Sequence, residues 1–257
     1  MQKSFEYDID LNAKDKSGKT AFHSACEVGK IEVVTKMIEN ADSFKIDIFA
    51  RDNFGHTGLE TGGYHGRQNK INGMINFHLA CKNGHLKLAK LFVQKSVVLE
   101  LDLNAKDSSG YTGFHWACLN GHLEMAEMLI KESVEHAIDL NAKDSLGNTA
   151  FYYTCKNGHL KVVEMFIQKS VEMKIELNFV TDLDSTIFHW SCRNGLQQIA
   201  WMLMEKSAEK SINLNAKDKW GQTPFHTACK NGYLKIAEML IKKSKELMIQ
   251  VSLSCRA

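Results

Sequence analysis

Apolar and polar positions along the chain alternate between a short apolar stretch and a longer amphipathic one. In the longer stretch Leu123, Ala126, Leu129 and Ile130 stand at i, i+3, i+6 and i+7, one stripe of a helix. Glu127 and Lys131 form an i, i+4 pair on its other face. The shorter stretch, Gly113–Leu119, follows Thr112, a residue suited to cap a helix N-terminus. Asn120-Gly121 separates the two, with Gly able to adopt a left-handed conformation. Asp107-Ser-Ser-Gly110 ahead of them reads as a turn opened by an aspartate. The predicted unit is therefore a turn, a short helix, a break and a second helix. Lys131–Ala137 is expected to prolong that second helix, and Ile138-Asp-Leu-Asn141 leads to the next turn.

This unit recurs. Cys81, Cys118, Cys155, Cys192 and Cys229 are each 37 residues apart, as are Gly84, Gly121, Gly158, Gly195 and Gly232, and Phe77, Phe114, Phe151, Phe188 and Phe225. Leu-Asn-Ala-Lys-Asp appears at Leu11–Asp15, Leu103–Asp107, Leu140–Asp144 and Leu214–Asp218. One turn and two short helices cannot bury a face alone, whereas stacked copies can. The fold class this implies is all-α, an α-solenoid of helix-turn-helix repeats joined by β-turn fingers.

Composition removes several alternatives. The 257 residues are 44% hydrophobic and 24% charged, too apolar for a disordered chain. No run of about 18 apolar residues offers a spanning helix, so membrane insertion is not expected. The first residues lack the apolar core of a secretory signal, which points to an intracellular protein, cytoplasmic or nuclear. Lys and Arg number 32 against 30 Asp and Glu, a net charge of +2. That balance gives no general attraction to nucleic acid.

Thr223-Pro-Phe-His-Thr-Ala228 with Gly232 resembles the T-P-L-H-x-A…G-H signature of the ankyrin repeat. Thr112-Gly-Phe-His-Trp-Ala117 with Gly121-His122, and Thr20-Ala-Phe-His-Ser-Ala25 with Gly29, are similar to it. The resemblance runs over almost the whole chain, with a period of 37 where the family usually has 33. It implies an ankyrin-type solenoid that binds a protein partner. The expected divisions are a repeat tail at 1–14, repeats at 15–51, 107–143, 144–180 and 218–257, a partial repeat at 77–106 and a degenerate repeat at 181–217. Cys26 and Cys81 are 55 residues apart, so residues 52–76 read as a degenerate half repeat or loop, with either an insertion or a deletion behind it. Gly62, Gly63 and Gly66 make Thr57–Asn76 a poor helix former and the expected weak point of the array. In residues 181–217, Phe188, Ala200 and Leu203 keep core positions although Thr181 and Asp184 replace Asp and Gly. The last stretch carries Ile241, Leu247, Ile249, Val251 and Leu253, an apolar face expected to favour weak self-association through uncapped ends.

His115, Cys118 and His122 have ligand types and spacing compatible with zinc, as do His78, Cys81 and His85. The repeat pattern answers this differently. Tyr152, Leu196, Tyr233 and Lys30 replace these histidines without disturbing the register, which a metal site would not tolerate. The resemblance implies that the first histidine bonds Thr and neighbouring backbone, and that the cysteine is a small buried core residue. Six cysteines at one repeat position would stand roughly 10 Å from their neighbours, too far for disulfides; buried, reduced thiols are expected, with Cys255 as a tail thiol. No nucleophile elbow, phosphate loop or H-E-x-x-H motif is present, so no catalytic residues, metal or cofactor are assigned.

Residues that vary between copies are the candidates for binding. Turn tips carry Phe54, Leu146, Leu183 and Trp220, with Tyr111 two residues beyond a tip. The first helices carry Trp116, Tyr153 and Trp190 one period apart. Lys156, Arg193 and Lys230 form a basic ladder before the Asn-Gly break, joined by Lys82 and interrupted by Leu119. Together they predict a groove for an extended or helical segment of a partner protein, acidic with apolar anchors. The rival expectation is an inert spacer within a larger adaptor.

Overall fold

The computed structural model describes residues 9–28, 30–58, 76–97, 101–178, 180–181 and 183–254. The expectation for Thr57–Asn76 falls almost wholly on residues outside this set, as do most of the 1–14 tail and Cys255. The chain divides into two compact units, Met1–Ser109 and Gly110–Ala257.

In the first unit, α1 (Ala21–Val28) and α2 (Ile31–Glu39) form a hairpin, followed by the single turn α3 (Ala41–Phe44). The pair α4 (Asn76–Lys82) and α5 (Leu86–Gln94) forms another, and α2 lies against α5. Phe22, Cys26, Phe77, Cys81 and Phe92 are buried there.

The second unit has four hairpins: α6 (Gly113–Leu119) with α7 (Leu123–Glu132), α8 (Ala150–Lys156) with α9 (Leu160–Lys169), α10 (Ile187–Arg193) with α11 (Gln197–Glu205), and α12 (Pro224–Lys230) with α13 (Leu234–Ser254). The short helices α6, α8, α10 and α12 pack side by side in one row, and the longer α7, α9, α11 and α13 in a second. The period-37 residues build the core between the rows. Phe114, Phe151 and Phe188 are buried, and Phe166 of α9 packs against both Phe114 and Phe151, at 5.7 and 5.2 Å between centroids. Phe188, Ala200 and Leu203 are also fully buried, so the degenerate stretch packs as the pattern predicts.

Local chemistry explains the recurring polar residues. Asp144 Oδ1 accepts the backbone N–H groups of Leu146 and Asn148, both at 2.8 Å, closing the turn. Where Thr181 replaces aspartate, its Oγ1 accepts from Leu183 N at 3.3 Å, and Asp184 takes the left-handed conformation (φ 55°) that glycine holds elsewhere. Asn141 of the Leu-Asn-Ala-Lys-Asp segment clamps the following loop: its Nδ2 donates to Lys174 O and its Oδ1 accepts from Glu176 N, each at 2.9 Å. Lys174 is held there at φ 52°. Asn178 does the same for Ser211 and Asn213. Gly121 adopts φ 70°, and a Cβ there would come within 2.4 Å of the His159 ring.

Three expectations need correction. Residues 133–137 do not prolong α7. Ser133 Oγ donates to Ile130 O at 2.7 Å, satisfying a helix-end carbonyl, and the chain then makes one further turn ending at Ala137 with φ 50°. At the C-terminus the reverse occurs. The register places Met248 where Ala137, Lys174 and Ser211 stand, but α13 runs on to Ser254. The segment Ile249–Ser254 lacks the Asp, Asn or Gly that would open a turn. Cys229 is exposed rather than buried, because among the described residues α10 is the one short helix packed against α12 and none covers its other side; Phe225 is 39% exposed for the same reason. Among the described residues no helix is long and apolar enough to cross a membrane.

Candidate functional site

The row of short helices in the second unit is stitched by histidines. At α6, Thr112 Oγ1 accepts from His115 N at 3.3 Å, and His115 Nδ1 accepts from Thr112 N at 3.2 Å. With Nδ1 an acceptor, the proton sits on Nε2, which donates to Asn148 O at 3.3 Å in the next turn. His189 repeats this with Thr186 and donates to Gln222 O at 2.9 Å. These bonds occupy both ring nitrogens, so a metal at the His115, Cys118, His122 pattern would have to dismantle a helix cap. Burial raises the Cys118 and Cys155 thiols far above their ordinary range and pushes Cys192 up to about 12. They are poor nucleophiles and poor ligands. Elsewhere Glu132, Glu135 and His136 bring potential ligand atoms within 4.8 Å of one another, with Glu132 Oε2 and His136 Nε2 facing each other at 3.8 Å.

At α8 the histidine position holds Tyr152, and this substitution joins rings on neighbouring helices into one band. Tyr111 meets Trp116 edge-on at 5.2 Å and Tyr153 edge-on at 5.2 Å. Tyr153 meets Tyr152 at 5.3 Å, and Tyr152 meets Trp190 at 6.1 Å. The band runs from α6 to α10, and Lys156 Nζ lies 5.8 Å from the centroids of both Tyr152 and Tyr153. Trp116, Trp190, Tyr111 and Tyr152 are half-buried. The Trp116 and Trp190 rings are thus partners in the wall and also part of its surface.

Tyr153 departs from its register mates. It is 5% exposed, and its hydroxyl donates to Asp144 Oδ2 at 2.5 Å while accepting from Asn148 Nδ2 at 3.3 Å. Burial, then the bond to Asp144, drives its ionisation far above the ordinary phenol range. The structure places it inside the wall, supporting the turn. Burial also raises Tyr152, with the Asp144 charge adding to it and Arg193 opposing.

Beyond Trp190 the row opens. Arg193, Trp220 and Lys230, three of the expected contact residues, line one cleft of about 370 Å³ with Gln222, Thr227 and Asn231. Trp220 is 57% exposed on its turn tip, and Lys219 Nζ lies 4.5 Å from its ring centroid. Arg193 Nη2 stands 3.8 Å from Asp218 Oδ2. Leu146 is exposed on its tip, and Leu183 sits where its carbonyl accepts from Lys219 N at 3.1 Å. Leu119 contributes its carbonyl, which accepts from Asn157 Nδ2 at 2.7 Å and His159 Nε2 at 2.9 Å. Phe54 is exposed on a tip of the first unit.

Two features escaped the sequence reading. Tyr152 links the two halves of the band; its signal was a residue unable to do the capping job of its position. A second cavity, about 730 Å³, lies between α7 and α9, with Leu123, Ile130, Val134, Met165 and Met173 in its walls. Its charged rim pairs opposite signs, as in Lys169 Nζ and Glu172 Oε2 at 2.8 Å. That compensation leaves little net field to steer a charged partner.

A family model for ankyrin repeats, in three copies, matches residues 58–144, 131–213 and 173–251. No curated protein matches the chain.

Proposed function

Because the chain belongs to the ankyrin repeat family, whose repeats are in general protein–protein interaction modules, we propose that it is a non-catalytic binding scaffold. Its partner is an extended or helical protein segment, acidic with apolar anchors. The segment lies along the turn tips and the row α6, α8, α10 and α12. The observation that carries this reading is the convergence of Arg193, Trp220 and Lys230 on one cleft at the end of a ring band. Aromatic and Arg side chains at a concave, partly dry surface are the usual anchors of binding energy. The three cations Lys156, Arg193 and Lys230 on that side supply the steering field.

The test is selection of binding peptides from a displayed random library, followed by calorimetry on purified variants. Trp220→Ala is expected to weaken the selected segments by about thirty-fold, the loss of a hot spot of about 2 kcal/mol. Its melting temperature should stay near that of the parent, since the ring is mostly outside. Tyr111→Ala is expected to weaken binding and also to lower the melting temperature, since its ring touches Trp116 and Tyr153. Selected segments that bind both variants as tightly as the parent would leave the array as a spacer, or move the site to the second row.

A further inference from the structure

A buried carboxylate oxygen in the last turn lacks a hydrogen-bond partner among the described residues, and the repeat register identifies the missing group. At Asp144, Oδ1 accepts two backbone N–H groups and Oδ2 accepts the hydroxyl of Tyr153. At Asp218, Oδ1 likewise accepts Trp220 N at 3.0 Å and Gln222 N at 2.9 Å. Its side chain is 0% exposed, yet among the described residues Oδ2 has no hydrogen-bond partner. The nearest cation, Arg193 Nη2 at 3.8 Å, is beyond hydrogen-bond reach. The residue in Tyr153's register position is Thr227. That hydroxyl is spent on Pro224 O at 2.7 Å. Trp116, Tyr153 and Trp190 fill this position with rings in the other three turns of the unit; Thr227 fills it with a short side chain, and the cleft of about 370 Å³ opens beside it.

We propose that this cleft takes a tyrosine side chain from the partner segment. Its ring enters beside Thr227 and displaces the lining side chains that cover Asp218, and its hydroxyl then donates to Asp218 Oδ2, as Tyr153 does to Asp144 within the chain. This rests on the binding reading above and names the anchor of that segment. A buried charged acceptor without a donor is costly, so a donor delivered there is strongly favoured. Trp220 offers an aromatic wall. Phenylalanine would fill the space and leave the oxygen unpaired. A lysine or arginine would meet Arg193, Lys219 and Lys230, whereas acidic residues flanking the tyrosine would be drawn by them. A phosphotyrosine would bring its charge against Asp218. The chain's own nearby tyrosine is committed elsewhere: a Cβ on Gly195 would meet the Tyr233 ring at 2.4 Å, so that ring lies over Gly195.

The probes are three peptides, acetyl-Glu-Glu-Tyr-Glu-Glu-amide and its phenylalanine and phosphotyrosine counterparts, titrated into the full chain and followed at the Trp220 indole N–H by NMR. The tyrosine peptide is expected to bind about ten-fold or more tighter than the phenylalanine peptide, and tighter than the phosphorylated one. Thr227→Tyr is expected to seal the cleft, abolish binding and melt above Thr227→Phe, because only the former regains the bond to Asp218. Equal affinity of the tyrosine and phenylalanine peptides, tighter binding of phosphotyrosine, absence of binding, or equal melting of the two Thr227 variants would each overturn the inference. Library-selected segments that need Trp220 but bind equally well with tyrosine or phenylalanine would sink the tyrosine anchor alone and leave the scaffold reading standing.

Discussion

Thr112 and His115 close a reciprocal cap on α6, His115 N donating to Thr112 Oγ1 while Nδ1 accepts from Thr112 N. At α8 the same threonine position, Thr149, has a buried hydroxyl with no hydrogen-bond partner among the described residues, and Tyr152 stands where the histidine would be. The isosteric change Thr112→Val is therefore expected to cost about 1–2 kcal/mol. Thr149→Val is expected to be neutral or slightly stabilising, since it removes an unpaired polar group. Denaturant unfolding of both variants checks this, and equal losses would contradict the assignment of Thr149 as uncapped.

His189 makes stability depend on pH. Its imidazole is fully buried, and that desolvation lowers its pKa from the ordinary 6.5, against opposing bonds and charges such as Gln222 O and Asp218. The neutral ring is the form favoured in the folded chain. As pH falls below about 6.5 the unfolded chain takes up a proton that the folded chain resists, so His189's stabilising contribution is present above that value. It is lost progressively as pH drops toward the lower folded pKa. The histidine signals followed by NMR should show His189 still mostly neutral at pH 6.5; a midpoint at or above the ordinary value would refute this.

The lattice was legible in the sequence because packing and turn geometry tolerate few residue types. Phe114, Cys118 and Gly121 must be apolar, small and left-handed respectively, so period and role coincide. The cleft was legible only in part. Arg193, Trp220 and Lys230 were singled out as residues that vary, but the space between them depends on an absence, the short side chain of Thr227 where its mates are rings. The long α13 and the exposure of Cys229 were missed for a related reason: periodicity describes what each copy shares, whereas among the described residues α12 has a short-helix neighbour, α10, on one side alone.

Cysteine reactivity reads that difference in burial directly. Cys26, Cys81, Cys118, Cys155 and Cys192 are buried, while Cys229 is exposed. In a Cys255→Ser background, a thiol reagent is expected to modify one cysteine of the native chain quickly, Cys229, and the other five only at the rate of opening. Mass spectrometry of the modified peptides identifies the site. Rapid labelling of Cys118 or Cys155 would mean that the second unit opens far more readily than its packing implies.

The three cations of the short-helix row are not equivalent, and their charge reversals should separate. Lys156 and Lys230 are exposed, the former near the Tyr152 and Tyr153 rings. Lys156→Glu and Lys230→Glu should slow association with an acidic segment and flatten its salt dependence, with small changes in melting temperature. Arg193 faces the buried Asp218 carboxylate at 3.8 Å. Arg193→Glu would set two carboxylates against each other in that turn, so it should lower the melting temperature as well as the association rate. Arg193→Gln keeps the volume without the like-charge clash and should melt between the parent and Arg193→Glu. Stopped-flow association at several salt concentrations, run beside thermal melts, distinguishes steering from structure. If Arg193→Glu melted like Lys230→Glu, the ion pair with Asp218 would carry no weight in holding the last turn against α10.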